Sequence, residues 1–185
     1  AVMDAGNELS SFCYAIATHP NGDIYLGGAF TQFGATVCNR WVRYDGTDYQ
    51  VVDTGINNIV ESLAISASGT VYIGGSFTSP GNYITSWAGQ GFVSLGTGMN
   101  SAVRALEIGP DGILYASGEF TSAGGIALAD RIATWNGSSW AHLDANLPGT
   151  PIVYAVKTEP ADPIIPSNYG LYVGFDASDT GYFAG

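Results

Sequence analysis

One heptapeptide returns along these 185 residues, and a motif that recurs at a near-fixed period marks a chain built by stacking copies of one small unit. Tyr25-Leu-Gly-Gly-Ala-Phe-Thr31 comes back as Tyr72-Ile-Gly-Gly-Ser-Phe-Thr78 and as Tyr115-Ala-Ser-Gly-Glu-Phe-Thr121. A degraded fourth copy is Tyr172-Val-Gly-Phe-Asp-Ala-Ser178. The steps are 47, 43 and 57 residues, the last lengthened by the insertion Glu159-Pro-Ala-Asp-Pro-Ile-Ile-Pro166.

Each unit divides into four short extended segments. The first covers 12–18, 59–65, 102–108 and 152–158. The second is the recurring heptapeptide, reached through turns such as Pro20-Asn-Gly-Asp23 and Pro110-Asp-Gly112. The third covers 40–44, 83–87 and 131–135, and the fourth 49–53, 92–96 and 140–144. Between third and fourth lie Asp45-Gly46, Ala88-Gly89 and Asn136-Gly137. Short β-branched or aromatic runs separated by such turns predict antiparallel hairpins. The nearest approach to a helical period, 126–133, falls in the register of a loop followed by a strand. Composition agrees: 46% hydrophobic with only 11% charged residues and 26 glycines fits neither a disordered chain nor a helical bundle with charged outer faces. The expected class is all-β.

Four strands per unit of about 45 residues is the blade of a β-propeller. The succession Tyr-x-Gly-Gly-x-Phe-Thr, Trp-Asn-Gly-x-x-Trp and Leu-Gly-x-Gly-Met-Asn resembles kelch-like propeller repeats, most closely those of bacterial surface proteins and of tailed-phage structural proteins. Gly27-Gly28 and Gly74-Gly75 keep the paired glycines of kelch blades; Ser117-Gly118 and Gly174-Phe175 depart from them. The resemblance implies a single domain with blades at about 11–56, 59–99, 102–147 and 152–185 plus 1–7. In it Ala1-Val-Met-Asp-Ala-Gly6, aligned with Gln50-Val-Val-Asp-Thr-Gly55, supplies the strand that the last blade lacks. Closing the ring this way removes two exposed sheet edges; the competing expectation is a segment of a larger propeller. A start at Ala1 without a basic and apolar leader indicates a processed chain or part of a longer one.

Stacking the first segments by register separates their columns. Cys13, Val60, Val103 and Val153 are apolar; Ala15, Ser62, Ala105 and Ala155 are small. Tyr14, Glu61, Arg104 and Tyr154 form a polar and aromatic ring, the candidate ligand-binding residues. Ala17, Ala64, Glu107 and Lys157 form a second ring, placed by strict strand alternation on another face. A ligand-gripping axial pocket is one role for these residues. Ion pairs Glu61–Arg104 and Glu107–Lys157 between neighbouring units are the plainer role.

Other chemistry is sparse. Glu119 and Asp176 occupy equivalent positions, where Ala29 and Ser76 stand in the other units; a glycosidase pair would need them within about 5–9.5 Å, closer than second strands of adjacent blades should approach. His19 and His142 lack metal-site spacing, and the Asp-bearing turns do not continue as calcium loops, so no metal, cofactor or catalytic residue is expected. Asn136-Gly-Ser138 reads as a hairpin turn rather than a glycan acceptor. Cys13 and Cys38 are a candidate disulfide or two free thiols. Trp41, Trp87 and Trp135 are expected in one register of the third strand as inter-blade packing, with Trp140 partly exposed.

A net charge of −11 repels polyanions and argues against nucleic-acid binding. The apolar runs are far shorter than the roughly 20 residues of a membrane span, so no insertion is expected. The expected function is a non-catalytic structural or interaction module of an extracellular or virion assembly, such as a phage tail. Its rigid body would present the variable inserts 32–39, 122–130 and 159–168 to other protein subunits. A carbohydrate-binding, lectin-like propeller with a surface glycan as partner is the first alternative; a glycoside-processing enzyme using Glu119, Asp176 or Glu61 is the second.

Overall fold

The structure, a computed structural model, describes residues 8–52, 54–127, 131–143, 151–159 and 170–176, and every regular element in them is a β-strand. The first unit contains β1 (Cys13–Thr18), β2 (Ile24–Gly28), a small hairpin of β3 (Gln32–Phe33) and β4 (Thr36–Val37), then β5 (Trp41–Tyr44) and β6 (Tyr49–Gln50). The second contains β7 (Val60–Ile65), β8 (Val71–Gly75), β9 (Ile84–Trp87) and β10 (Phe92–Ser94). The third repeats the first, with β11 (Val103–Ile108), β12 (Leu114–Gly118), the hairpin β13 (Ser122–Ala123) and β14 (Ile126–Ala127), β15 (Ile132–Trp135) and β16 (Trp140–His142). Of the fourth, β17 (Val153–Glu159) and β18 (Gly170–Phe175) are described.

Three units are therefore four-stranded antiparallel meanders, ordered β1-β2-β5-β6, β7-β8-β9-β10 and β11-β12-β15-β16, followed by the β17-β18 hairpin. The expected strand closure through residues 1–7 and 181–185, the insertion at 160–166 and the outer half of the fourth unit lie outside the described residues.

Local chemistry explains the turns. Asp45 Oδ1 accepts the amides of Thr47 and Asp48, both at 2.9 Å, and Asn136 Oδ1 accepts those of Ser138 and Ser139 at 3.0 and 2.9 Å. Gly46, Gly89 and Gly137 follow with φ of 95°, 91° and 99°, a region that favours glycine. Asn136 is thus the capping side chain of a hairpin.

The sheets pack face to face through two devices. The phenylalanine of each intact heptapeptide, Phe30, Phe77 and Phe120, is completely buried. The glycine three residues before it lets the next unit come close. A Cβ on Gly27 would lie 2.4 Å from Val60 Cγ1, and one on Gly74 would lie 2.6 Å from Val103 Cγ1. First strands thereby stand side by side, β1 against β7, β7 against β11 and β11 against β17. At the third contact Ser117 replaces the glycine, and its buried hydroxyl has no hydrogen-bond partner.

Beside each of the first three heptapeptides a side chain clamps the threonine. Asn57 Oδ1 accepts the Thr78 amide and Asn100 Oδ1 the Thr121 amide, both at 2.9 Å, while Ser10 Oγ takes the Thr31 amide at 3.0 Å.

Two tryptophan expectations need correction. Trp87 and Trp135 are equivalent, pairing with Val71 and Leu114, but Trp41 pairs with Gly27, and Tyr44 holds the matching place opposite Ile24. Trp41 still packs between sheets, its ring 5.6 Å from that of Trp87. Trp140 is buried rather than partly exposed, because its indole N–H donates to Leu95 O of the neighbouring unit at 2.8 Å.

These contacts predict opposite effects for two small substitutions. Gly75→Ala places a methyl 2.1 Å from the Ile59 carbonyl and should lower unfolding free energy by about 3 kcal/mol. Ser117→Ala removes an unsatisfied hydroxyl and should raise it by about 1 kcal/mol. Urea denaturation of both variants checks the pair.

Candidate functional site

The site arises from a kink repeated in every unit. Strand pairing skips from Cys13 to Ala15, from Val60 to Ser62, from Val103 to Ala105 and from Val153 to Ala155. The skipped residues are Tyr14, Glu61, Arg104 and Tyr154, and a bulge re-aims its extra side chain out of the pleat. The strict alternation expected from sequence is therefore broken at these four positions. The carbonyl before each bulge accepts an amide at the far end of the second strand. Phe12 O takes Ala29 N, Ile59 O takes Ser76 N and Ala102 O takes Glu119 N, while Ile152 O takes Asp176 N at 3.1 Å. In the first three units the glycine at the second place of the pair (Gly28, Gly75 and, after Ser117, Gly118) makes room for that carbonyl, 2.1 Å from where a Cβ would stand.

The four side chains converge, with Ile59, on a concavity of about 360 Å³. The ion pair foreseen between neighbouring units forms there, beside the open concavity. Arg104 is paired with Glu61 of the preceding unit, and it also holds Glu119 of its own unit, through Nε at 3.0 Å and through Nη2. Ser76 Oγ donates to the other oxygen of Glu61. Partial burial pulls the Arg104 pKa down, but the hydrogen bonds to Glu119 and Glu61 outweigh it and hold the guanidinium above its ordinary value. Tyr14 and Tyr154, residues 56% and 50% exposed, flank this charge network.

The second ring behaves differently. Lys157 pairs with Glu107, while Ala64 is buried and Ala17 half-buried. Glu119, weighed with Asp176 as a carboxylate pair, is instead a partner of Arg104, and the Asp176 residue is exposed. Sequence reasoning missed Ile59, Ser76 and the attachment of Glu119. The signal for the last two was their equivalent position directly after Gly74-Gly75 and Ser117-Gly118, where the second strand returns to the bulge.

The described parts of two inserts, 32–39 and 122–127, form hairpins at the same end of the sheets as the bulges. Phe33, stacked 3.9 Å from Tyr49, and buried Ala123 pin them, leaving Val37 and Ile126 exposed near their tips. Cys13 and Cys38 are free thiols, the first exposed and the second buried. Among the described residues no group of three or more His, Cys, Asp or Glu side chains is placed to hold a metal ion, and no helix is long and apolar enough to cross a membrane.

No protein family profile and no curated protein matches the chain. Among solved structures it is similar to the extracellular domain of a protein assigned as a one-component system of B. thetaiotaomicron. That match has a TM-score of 0.58 at 14% identity and covers 94% of this chain. The chain spans only 21% of that structure's length. At this identity the likeness concerns fold alone, and it agrees with the all-β class.

Two measurements follow from the site and the thiols. Arg104→Met strands two partly buried carboxylates and should cost about 2–3 kcal/mol of stability, read by denaturant titration. Burial pushes the Cys38 thiol up from 9.0 to about 11. Its contribution to stability is complete below pH 9, where the unfolded thiol is also protonated, and is lost as pH rises through 11. Cys38→Ala should flatten the fall in melting temperature over that window.

Proposed function

We propose that the four units are blades of a β-propeller of the kelch-like kind, and that the protein works without catalysis as an interaction module in an extracellular assembly. The setting its repeat most resembles is a phage tail. The blade assignment is supported by the three equivalent meanders, the side-by-side first strands and the solved structure of similar fold. That structure being an extracellular domain accords with the proposed setting.

One observation carries the functional reading: Arg104 is held between Glu61 and Glu119 while Tyr14 and Tyr154 keep their rings open to solvent. A general acid and base must exchange protons with substrate, whereas these carboxylates are committed to a guanidinium. Exposed tyrosines, by contrast, offer rigid amphipathic contact area at low conformational cost. The concavity, with the Val37 and Ile126 hairpins at its end of the sheets, is then a recognition face for another protein subunit. The same tyrosines beside paired charges also favour the second reading, a glycan stacked on the rings.

Binding screens of the immobilised chain against protein and polysaccharide panels test both. A protein ligand should lose at least tenfold affinity in the Tyr14→Ala/Tyr154→Ala double variant, whose fold should be intact because both rings are exposed. A glycan ligand with that sensitivity would replace the first reading with the second. Release of sugar from any glycan would refute the non-catalytic assignment.

A further inference from the structure

The chain carries five basic side chains against sixteen acidic ones. Every basic one lies among the described residues and is already engaged. Arg43 pairs with Asp23 at 3.3 Å, and Lys157 pairs with Glu107. Arg40 and Arg131 each donate to a backbone carbonyl, that of Ala29 and that of Glu119. Arg104 is held by Glu61 and Glu119. The protein therefore has no loose cation to offer a partner, while carboxylates are in large excess.

The same imbalance holds where the tyrosines open. One guanidinium serves two carboxylates, which leaves the Glu61–Arg104–Glu119 network with a negative charge in excess. Both bonds from Arg104 to Glu119 end on Oε1, so Glu119 Oε2 stands outside them. The concavity is lined by Tyr14, Ile59, Glu61, Arg104 and Tyr154, and the charges of Arg40 and Arg131 lie off that lining. Two exposed tyrosines thus border a hollow of about 360 Å³ whose wall includes part of an acidic network.

An aromatic face carries negative charge density and attracts a cation set against it. A carboxylate or phosphate entering the concavity would meet a guanidinium whose charge is already outweighed. An uncharged group would gain contact with the rings alone. A cation gains the rings and the surplus carboxylate charge together, in a partly desolvated setting where charges act more strongly than in bulk water.

We propose that the concavity takes a basic side chain, lysine or arginine, of a partner protein, seated against the faces of Tyr14 and Tyr154. This inference rests on the reading of the concavity as a recognition face for a protein and adds the chemistry of what enters it. Charge complementarity acts at two ranges. At contact, rings and carboxylates hold the cation. At long range, the net charge of −11 draws a basic partner in and turns acidic ones away.

Titration calorimetry of the full chain at low ionic strength, with tetralysine, tetraglutamine and tetraglutamate as probes, tests the proposal. Tetralysine should bind about tenfold tighter than tetraglutamine, and tetraglutamate should give no binding heat. Tyr14→Ala/Tyr154→Ala should lose about tenfold of the tetralysine affinity, whereas Tyr14→Phe/Tyr154→Phe should keep it because the ring faces survive. Tyr172→Ala removes a tyrosine that is 59% exposed away from the concavity and should change nothing.

Tetralysine binding that survives the loss of both rings would overturn the proposal, since overall charge would then be its cause. Tetraglutamine or tetraglutamate binding as tightly as tetralysine, or tetralysine not binding, would overturn it too. A protein ligand from the screen that needs both tyrosines, yet tolerates acetylation of its lysines and replacement of its arginines, would remove the cation and leave the recognition face standing. A screen that returns only a glycan would remove that reading itself.

Discussion

The close approach of each first strand to the second strand of the preceding unit is the constraint on which the rest depends. At Gly27 and Gly74 there is no room for a Cβ, because a valine methyl group already occupies that space. Dispersion and hydrophobic burial act over short distances, so the missing side chain brings two sheets into contact. Around that contact the large residues fill in. Tyr25, Trp41 and Trp87 gather in one cluster with Ile73 and Phe77, and Trp140 lies in the next with Leu106 and Phe120.

The second glycine of each intact pair has a separate task. It admits a carbonyl from the start of the first strand, and the strand bulges beside it. A bulge leaves one residue without a ladder partner, and the four so released meet in one concavity. Charge is then settled locally: Arg104 takes a carboxylate from its own unit and one from its neighbour. The pairing between units is thus electrostatic as well as apolar, and it leaves the flanking tyrosines as the open chemical surface.

The legible parts of this arrangement were those that depend on near neighbours in the chain. Turn types followed from Asp-Gly and Asn-Gly, the strands fell within a residue or two of their expected starts, and the membership of the ring Tyr14, Glu61, Arg104 and Tyr154 came from register alone. The fourth strands proved shorter than expected, β6 holding two residues, since few cross-strand partners secure an outer edge. Trp41 was misplaced because a third-strand tryptophan resembles another by type, whereas the pairing register separates it from Trp87 by three positions. Trp140 looked like a surface residue because its acceptor, Leu95 O, belongs to another unit 45 positions away.

The repeat by itself determined the all-β class, the unit length and the residues that would share a ring, because each of these rests on local periodicity and turn chemistry. Tertiary structure alone decided which way the ring points, which carboxylates Arg104 binds, and that Trp140 is buried. Those outcomes depend on strands 40 to 50 residues apart meeting at atomic range, and on backbone space that a glycine allows but does not announce. A run of alternating residues carries the pattern of a strand; only the neighbour packed against it fixes where that strand must bulge.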